Sequence, residues 1–546
     1  MSKAKRRQPP RAKPAPRART RPTISACLIV KNEADNLDRC LNSLHGKVDE
    51  IIVVDTGSTD GSIEIAQRHG ARTSTFTWCD DFAAARNASI EQAQGDWVLW
   101  IDADEELFED PPGAIRQLVD WPDKPEGFLV TCRNLTDTEG QINSQIRQWR
   151  LFQNHLGLRF HGRIHEHLVH ADGSTEVNLL FQDAVWIRHW GYIPDPERTP
   201  RKRMRNASLL QLALEDDPND PFTHYNIGKQ FAAHREFEPG LQALQKAIEL
   251  WQARGRVPQA YVGNMFALAI NAALELGNNQ LSVDIEAQVP ESVVSPDILF
   301  QAGVAWMRLG KREEAYARLM RAWQDTSIRL NIEGDPASCT WRPLAALAQM
   351  HLDSGEPEKA YEFAKQALPY GAELPNLLYA MAVSSASLHK YDESIAWARK
   401  IIALDDINEG YRKQARRLMY NIGQGTSQPG LMVEALASGE IEGIDPAQGA
   451  LTVAQTHASL GDVQQQYETL DAACREYPEN AELRLALAGF LEEQGHAAEA
   501  TNVLGGGLDY PAPPLLYARL AALLTKQGRL EDAANALAVV ERSMAR

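Results

Sequence analysis

Cysteine is scarce in this 546-residue sequence. Six cysteines occur, and no two of them form a CxxC pair; they are Cys27, Cys40, Cys79, Cys132, Cys339 and Cys474. Scattered single cysteines of this kind favour a reducing compartment over a disulfide-forming one. We therefore expect a cytoplasmic protein, with peripheral attachment at the inner face of a membrane as a further option.

Long apolar runs are absent as well. No stretch approaches the roughly eighteen consecutive apolar residues that a membrane-spanning helix needs, so no transmembrane segment is predicted. The first residues contain no apolar core of the kind that a secretory signal requires, so no such signal is predicted. The overall hydrophobic content of 44% is nevertheless ample for packed cores.

Acidic residues are missing from the first 22 positions, which hold nine lysines and arginines and many prolines. Such a segment cannot bury a core, and we expect a disordered basic tail over residues 1–22. It is either a solvated extension or a segment attracted to an acidic membrane surface, a nucleic acid or an acidic partner. The chain as a whole carries −17, and so acidic a body argues against an enzyme that acts on nucleic acid.

The run DWVLWIDADEEL, residues 96–107, is the most informative stretch. Its apolar strand ends on Asp102 and Asp104, and alternate side chains of a strand share a face. Both carboxylates are therefore expected at one spot beyond the carboxyl end of the strand, where open α/β sheets bind ligands. Paired acidic oxygens suit a hard divalent cation, Mn²⁺ or Mg²⁺. The alternative is an acidic helix N-terminus.

Three further strand patterns precede this motif. They lie at 24–30, at about 50–55 and at about 72–78, and each is followed by a helical pattern. This alternation predicts a parallel sheet with right-handed crossovers. Asp55 ends the second strand, so it should line the same crevice as the Asp102/Asp104 pair.

The ordered motifs resemble the nucleotide-sugar half of family 2 glycosyltransferases with the glycosyltransferase-A fold. The matching segments are IVKNE (29–33), VVDTGSTDGS (53–62), ARN (85–87) and DAD (102–104), with weaker similarity in RIHEHL (163–168) and IRHWGY (187–192). The resemblance implies a Rossmann-like, mostly parallel α/β domain. It also implies an inverting transfer from a nucleotide-diphosphate sugar, with a UDP-sugar as the expected donor.

The resemblance assigns several side chains to the nucleotide-sugar. Asp55 would contact the base, or alternatively cap the TGSTDG turn. Asn32 and Glu33 would border the pocket, or alternatively cap the next helix. Arg86 would reach the diphosphate or base, or alternatively form a surface salt bridge.

The metal is assigned in the same way. Asp102 would contact the ribose or the cation, and Asp104 would hold the cation. His189 is a candidate third ligand, since imidazole suits Mn²⁺ in such sites; its alternative is a buried histidine with a satisfied hydrogen bond.

The acceptor half is carried by RFHGRIHEHLVH, residues 159–170. The resemblance points to Glu166 as the general base, because an inverting transfer needs a carboxylate beside the acceptor hydroxyl. An HxxxH pair on a helix would indicate zinc. Gly162 and the alternating pattern instead favour extended structure. QIRQWRLF (145–152) faintly resembles the QxxRW motif of sugar polymerases, but Gln148 stands where that motif has arginine, and a polymerase is not predicted.

The second half of the chain repeats with a period near 34. Small residues recur at Gly228, Gly303, Ala348, Ala382, Ala454, Ala488 and Ala521, and turn glycines recur between them. This pattern is typical of tetratricopeptide helical hairpins, which stack into a superhelix with a concave surface. We expect the array to dock a polypeptide acceptor or a second copy of the chain as a homodimer; a purely structural extension is the alternative.

The predicted organisation has four parts. A tail (1–22) precedes a glycosyltransferase-A catalytic domain (23–200), a linker helix (201–220) and a repeat array (221–546) with degenerate stretches near 255–290 and 406–447. The predicted function is metal-dependent sugar transfer to a protein side chain docked by the repeats. The alternatives are transfer to a lipopolysaccharide-core or lipid-linked glycan, and a non-catalytic tetratricopeptide scaffold.

Overall fold

The fold was described from a computed structural model. It describes residues 21–544 except 123–124, 136–141, 171–177, 192–197, 329–333, 371–373, 406 and 511. The predicted basic tail lies outside the described residues up to position 20. The described chain contains no helix that is both long enough and apolar enough to cross a membrane. The six cysteines are free, and Cys79 is exposed.

Residues 24–100 alternate strands and helices, as predicted, and most of the strands that follow have no helix between them. The strands are β1 (Ile24–Val30), β2 (Glu50–Asp55), β3 (Arg72–Thr75), β4 (Trp97–Trp100), β5 (Glu105–Glu109), β6 (Gly127–Leu135), β7 (Ile142–Gln153), β8 (Arg159–His161), β9 (His167–Val169) and β10 (Leu179–His189). The helices among and after them are α1 (Ala34–Leu44), α2 (Ser62–Arg68), α3 (Phe82–Ile90), α4 (Ala114–Val119) and α5 (Arg198–Asp216).

Eight of these strands form one mixed sheet in the order β3-β2-β1-β4-β7-β6-β10-β5. The first four strands are mutually parallel, because a helix connects each to the next. Strand β7 pairs antiparallel with both β4 and β6, and β5 pairs antiparallel with β10. Strands β8 and β9 form a separate antiparallel pair.

Strand β1 shows why the sheet is covered on both faces. Its alternate residues Ile24, Ala26, Leu28 and Val30 pack into a core with α1 and α4. Cys27 points the other way, into a second core with α3 and the β7–β8 region. A parallel strand buried on both faces reads as a continuous apolar run, which is what ISACLIV is.

The rest of the described chain is helical. Its helices are α6 (Pro221–Ala233), α7 (Phe237–Ala253), α8 (Val262–Glu275), α9 (Asn279–Glu286), α10 (Pro296–Arg308), α11 (Arg312–Gln324), α12 (Trp341–Asp353), α13 (Pro357–Ala367), α14 (Pro375–Ser387), α15 (Tyr391–Ala403), α16 (Glu409–Gly425), α17 (Pro429–Ala437), α18 (Pro446–Ser459), α19 (Val463–Glu476), α20 (Ala481–Glu493), α21 (Ala497–Gly506), α22 (Pro514–Lys526) and α23 (Leu530–Met544). Short 3₁₀ turns lie at Glu291–Val293, Pro336–Cys339, Leu368–Tyr370 and Gly507–Asp509.

The chain divides into two compact units at Ala305/Trp306, inside α10. In the first unit, α6 packs on α7 and α8 packs on α9. In the second unit, α12 to α23 form six consecutive hairpins. The predicted fold class, an α/β glycosyltransferase-A domain followed by an all-α tetratricopeptide array, is confirmed. The predicted domain boundaries stay a prediction; the two stretches expected to be degenerate contain α8 with α9 and α16 with α17.

Small residues set the helix spacing in the first hairpin. A Cβ added to Gly228 would lie 2.5 Å from Leu244 Cγ and 3.0 Å from the carbonyl oxygen of Gly240. Glycine at 228 therefore allows α6 and α7 to approach backbone to backbone.

We expect Gly228→Ala to destabilise the first unit by about 1–3 kcal/mol, the usual cost of overpacking. The matched control is Gly489→Ala, because a Cβ at this position in α20 meets no atom within 4 Å. The control should be neutral or stabilising by up to about 1 kcal/mol, since alanine favours helix more than glycine does. Denaturant unfolding followed by circular dichroism measures both. Equal stabilities of the two variants would contradict the close-approach explanation.

Candidate active site

The carboxyl ends of β1, β2 and β4 meet at one edge of the sheet. These strands are adjacent and parallel, so the loops that follow them converge. The loops carry Asn32 and Glu33, Asp55, and Asp102 with Asp104. The predicted crevice is therefore assembled as the strand pattern requires.

Asp55 lies at the floor of this edge and is only 6% exposed. Its carboxylate accepts hydrogen bonds from the backbone N–H groups of Gly57 (3.2 Å) and Ser58 (3.0 Å). Asp55 therefore caps the TGSTDG turn, which was the alternative role predicted for it from the sequence. Contact with a nucleotide base remains a prediction, since a carboxylate has further acceptor capacity.

Asn32 links the first loop to the second. It has a left-handed backbone (φ 56°), and its Oδ1 accepts from the backbone N–H of Thr59 at 2.8 Å. Glu33 is the N-cap residue of α1 but does not cap it with its side chain; the backbone N–H of Ala34 donates to Asp60 instead. The helix-capping alternative for Asn32 and Glu33 is therefore wrong. Their part in donor binding remains a prediction.

Arg86, on α3, is the central cation of the site. Its Nη2 donates to Asp102 Oδ1 at 2.8 Å, and its Nε donates to Glu166 Oε1. The guanidinium lies over the Trp100 ring, 4.4 Å from the centroid, and its side chain is 9% exposed. The alternative of a surface salt bridge is wrong, because this is a buried cation that joins two of the predicted site carboxylates.

The charge state of Asp102 follows from this arrangement. Burial alone would raise the pKa of its carboxyl, but Arg86 and Arg150 beside it lower the pKa to about 2. Asp102 is therefore an anion at neutral pH.

A second buried ion pair lies beneath the Asp102–Asp104 turn. Arg150, on β7, donates to Glu105 through Nη1 (2.9 Å) and Nη2 (2.7 Å), and Glu105 is 1% exposed. Glu105 Oε2 also accepts the backbone N–H of Asp102 at 2.8 Å. The Arg150 guanidinium lies 3.6 Å from the Trp100 ring centroid. Glu105 and Arg150 together fix the backbone from which Asp102 projects.

Asp104 has a different partner from Asp102. Its Oδ2 lies 3.4 Å from Nε2 of His189, because β5 pairs antiparallel with β10 so that His189 stands opposite Glu105. Nδ1 of His189 lies 3.0 Å from Oδ1 of the buried Asn134, its register partner on β6. With Nδ1 donating to that oxygen, Nε2 faces Asp104 and donates to it when the ring is protonated. Burial opposes protonation of His189, but the bond to Asp104 raises its pKa above the ordinary value.

Gly191 marks a cradle between these two donors. A Cβ at this position would lie 2.6 Å from Nε2 of His189 and closer still to Oδ2 of Asp104. Divalent cations bind oxygen and nitrogen donors at roughly 2.0–2.6 Å, so an ion fits where a side chain of residue 191 would otherwise intrude. The described residues contain no group of three or more histidine, cysteine or acidic side chains arranged as a metal site. The fit therefore rests on Asp104 and His189, with phosphate and water oxygens completing the shell, as is common for Mg²⁺.

The structure revises the argument from the sequence at this motif. Asp102 and Asp104 have different partners, Arg86 and His189, and they follow a strand that already ends at Trp100, so strand alternation does not set their directions. The strand alternation behind that prediction therefore stops before the motif. The helix N-terminus alternative is also wrong, since β5 follows the turn.

Glu166 lies in the connection between β8 and β9, with its side chain 10% exposed. The segment is extended as predicted, and the helix that an HxxxH zinc motif needs is absent from it. Of the HxxxH pair, His161 lies on β8 opposite His167, and His165 lies in the connection between the strands with a positive φ of 56°.

Five residues that shape the site were missed from the sequence, namely Trp100, Glu105, Asn134, Arg150 and Gly191. An arginine inside the apolar run WRLF was a usable signal, because a buried arginine demands an acidic partner. Asn134 carried no signal, since its role depends on strand pairing between distant segments.

Comparison with known proteins is consistent with this geometry. Residues 25–177 match the family description Glycosyl transferase family 2. A tetratricopeptide repeat-containing protein of Synechococcus elongatus is 31% identical over 356 residues, covering 63% of this chain and 75% of that protein.

The SPbeta prophage-derived glycosyltransferase SunS of Bacillus subtilis is 29% identical over 232 residues. That match covers 42% of this chain and 53% of SunS, so the chain spans about half of that protein. Among solved structures, that of Pseudomonas aeruginosa pilF is 16% identical in sequence to this chain. It covers 46% of this chain and 96% of its own, with a TM-score of 0.32.

The Glu105–Arg150 pair generates a double-variant prediction. Arg150→Met should destabilise the fold by about 3–5 kcal/mol, because it leaves Glu105 buried without a partner. Glu105→Met with Arg150→Met should recover much of that loss, since a matched apolar pair removes the orphaned charge. Denaturant unfolding measures both. If the double variant is no more stable than Arg150→Met, the loss of stability does not come from the unpaired carboxylate of Glu105.

The Gly191 cradle generates a second prediction. Gly191→Ala should weaken Mn²⁺ binding at least tenfold with the circular dichroism spectrum unchanged, because the new methyl group fills the space between Asp104 and His189. Gly191 does not have a positive φ, so alanine imposes no backbone strain. Calorimetric titration with Mn²⁺ measures the effect, with Gly489→Ala as control. Unaltered affinity in Gly191→Ala would place the cation elsewhere.

Proposed function

Because this chain belongs to glycosyltransferase family 2 and carries a tetratricopeptide array, we propose that it transfers a sugar from a UDP-sugar to a protein side chain, with inversion at the anomeric carbon. The observation that carries the proposal is the Arg86 bridge. One buried guanidinium holds Asp102, assigned to the donor, and Glu166, assigned to the acceptor. Donor and base positions are thereby fixed to each other.

The donor would lie along the edge formed by the loops after β1, β2 and β4. Asp55 would accept from the uracil N–H, with Asn32 and Glu33 at the border of the pocket. Arg86 already donates hydrogen bonds to two carboxylates. Its proposed role is therefore to orient Asp102 and Glu166 rather than to bind the diphosphate. This departs from the earlier expectation of a direct diphosphate contact.

Asp104 and His189 would hold a divalent cation, Mn²⁺ or Mg²⁺. Such an ion would supply Lewis-acid stabilisation of the charge on the departing diphosphate. On the chain's side, Asn134 orients His189 and the Glu105–Arg150 pair holds the turn that carries Asp104.

Glu166 would act as the general base. Its carboxylate would accept the proton of the acceptor hydroxyl as that oxygen attacks the anomeric carbon from the face opposite the leaving group. The hydrogen bond from Arg86 holds Oε1 of Glu166 and thereby sets the direction of Oε2. A fixed base carboxylate lowers the entropy cost of reaching the reactive geometry.

The acceptor is proposed to be a polypeptide because repeat arrays commonly present extended binding surfaces. The contact between the β8–β9 connection and α5, the helix before the repeats, supports this. Arg163 pairs with Asp216 at the end of α5, and Ile164 packs with Leu209 and Leu210 of that helix. The segment that carries Glu166 is thus attached to the helix that leads into the array.

The experiment that tests the function uses a lysate of cells that lack the gene for this protein. Purified protein is added with a panel of radiolabelled nucleotide sugars and Mn²⁺, and the label is followed into protein bands and lipid extracts. We expect label from a UDP-sugar in protein, lost with EDTA and with Asp104→Asn. Label in the lipid extract alone would indicate a lipid-linked glycan acceptor. No transfer or donor hydrolysis under any condition would favour the scaffold.

Glu166→Gln should lower transfer by roughly 10²-fold or more, the scale of general-base loss, with donor affinity nearly unchanged. Glutamine can still accept from Arg86, so the site should stay assembled. The matched control is Glu91→Gln, an exposed position at the end of α3. Steady-state rates and UDP-sugar titration separate the two effects. A parallel loss of donor affinity would reassign Glu166 to the donor pocket.

A further inference from the structure

Arg205, on α5, reaches the candidate active site from outside the sheet. Its guanidinium carbon lies 5.0 Å from the centroid of the Phe82 ring at the start of α3, one turn before Arg86 on the same helix. Although the residue as a whole is exposed, burial lowers the pKa of its guanidinium, and the nearby carboxylates of Glu166 and Glu33 raise it. Arg205 therefore lies close to the proposed base and to the border of the proposed donor pocket.

Packing of α5 holds Arg205 in this position. Leu209 follows Arg205 by four residues, so the two side chains lie on the same face of the helix. Leu209 and Leu210 are 1% and 3% exposed, and they pack with Ile164 of the β8–β9 connection. The helix that carries Arg205 and the connection that carries the proposed base are thus parts of one packed cluster.

The donors of Arg205 are available to a ligand. Its Nε and Nη2 lie 3.3 and 3.2 Å from Oδ1 of Asn206, a neutral acceptor next to it in the chain. Among the residues that the structure describes, no carboxylate forms an ion pair with Arg205. Arg86 and Arg150 differ in this respect, because each already has a carboxylate partner.

A phosphate group suits this cation. A guanidinium presents a planar fork of N–H donors, which matches the oxygens of a phosphate. The bond that breaks in the proposed transfer joins the sugar to the diphosphate, and it must lie between the donor pocket and the base. Arg205 is close to a residue at each of these places, namely Glu33 and Glu166. The diphosphate is therefore the ligand that its position favours.

We propose that Arg205 is a donor-binding residue that α5 supplies to the active site, and that its guanidinium binds the diphosphate of the nucleotide-sugar. This inference rests on the proposed function. In the transfer, the bond from the anomeric carbon to the diphosphate oxygen breaks with its electron pair on that oxygen. The acceptor oxygen bonds to the carbon, and Glu166 takes the acceptor's proton. Arg205 stabilises the charge on the departing diphosphate.

Equilibrium titration of the full chain tests the contact, with Mn²⁺ present and with UDP, GDP, dTDP and the matching nucleosides as ligands. Arg205→Gln should bind the preferred nucleoside diphosphate roughly tenfold more weakly and bind its nucleoside as wild type does, because only the phosphates lose a charged partner. Arg205→Lys keeps the charge without the fork and should bind with intermediate affinity. The matched control is Arg203→Gln, which removes the same charge two residues away, where the side chain pairs with Glu236. It should bind as wild type does.

The titration has three outcomes that overturn the inference. They are unchanged diphosphate affinity in Arg205→Gln, an equal loss in Arg203→Gln, and an equal loss of nucleoside affinity in Arg205→Gln. The second would indicate a general effect of the charge on α5, and the third a role in the shape of the base pocket. If wild type binds none of the nucleoside diphosphates, the proposed donor is rejected and the inference falls with it. That result is distinct from binding by wild type that the Arg205 variants leave unaltered.

Donor hydrolysis and sugar transfer distinguish a diphosphate contact from other roles of Arg205. Arg205→Gln should lower kcat/KM for the UDP-sugar by roughly tenfold or more in both reactions, because both release the same diphosphate. Reduced transfer with wild-type hydrolysis would assign Arg205 to the acceptor, as for an acidic peptide segment. A shift in the pH profile of transfer with unaltered UDP affinity would assign it to the positioning of Glu166. Either result overturns the inference and leaves the proposed function in place.

Discussion

The bond set of Arg86 is the interaction on which the rest of the site depends. A buried guanidinium is costly to desolvate unless charged partners surround it, and Arg86 has Asp102 on one side and Glu166 on the other. Trp100 lies between Arg86 and Arg150 and supplies ring faces to both. Each of the two arginines thus has a buried or half-buried carboxylate beside it, Glu105 for Arg150 and Asp102 with Glu166 for Arg86.

The sequence predicted the elements well because their periodicities are local. Strand β1 lies at the predicted residues, and β2 and β4 carry the expected acidic residues at their carboxyl ends. The 34-residue period predicted the helical hairpins from the small residues that let helices approach, as Gly228 does. The contacts divide the chain at Ala305, whereas the sequence pattern changes near residue 220. Packing between α5, α6 and the sheet region joins what the pattern separates.

Side-chain direction was harder to predict than position. Two aspartates one residue apart share a face only while the strand continues, and the turn after Trp100 sends them to different partners. Asp55 had two roles open, and only the coordinates reveal the backbone amides that it accepts. Glu105 on β5, Asn134 on β6 and Arg150 on β7 are placed by strand pairing between segments that are far apart in sequence. A single chain read without that register cannot reveal such contacts.

The space between Asp104 and His189 exists because residue 191 is glycine and has no Cβ atom. Any larger residue there would leave the sheet, the Arg86 bridge and the repeats in place while filling the space between Asp104 and His189. If Asp104 and His189 hold the proposed cation, one substitution at residue 191 would remove it while every acidic motif stayed in the sequence. Residue 191 would thus distinguish an enzyme from an adaptor more sharply than the DAD motif does.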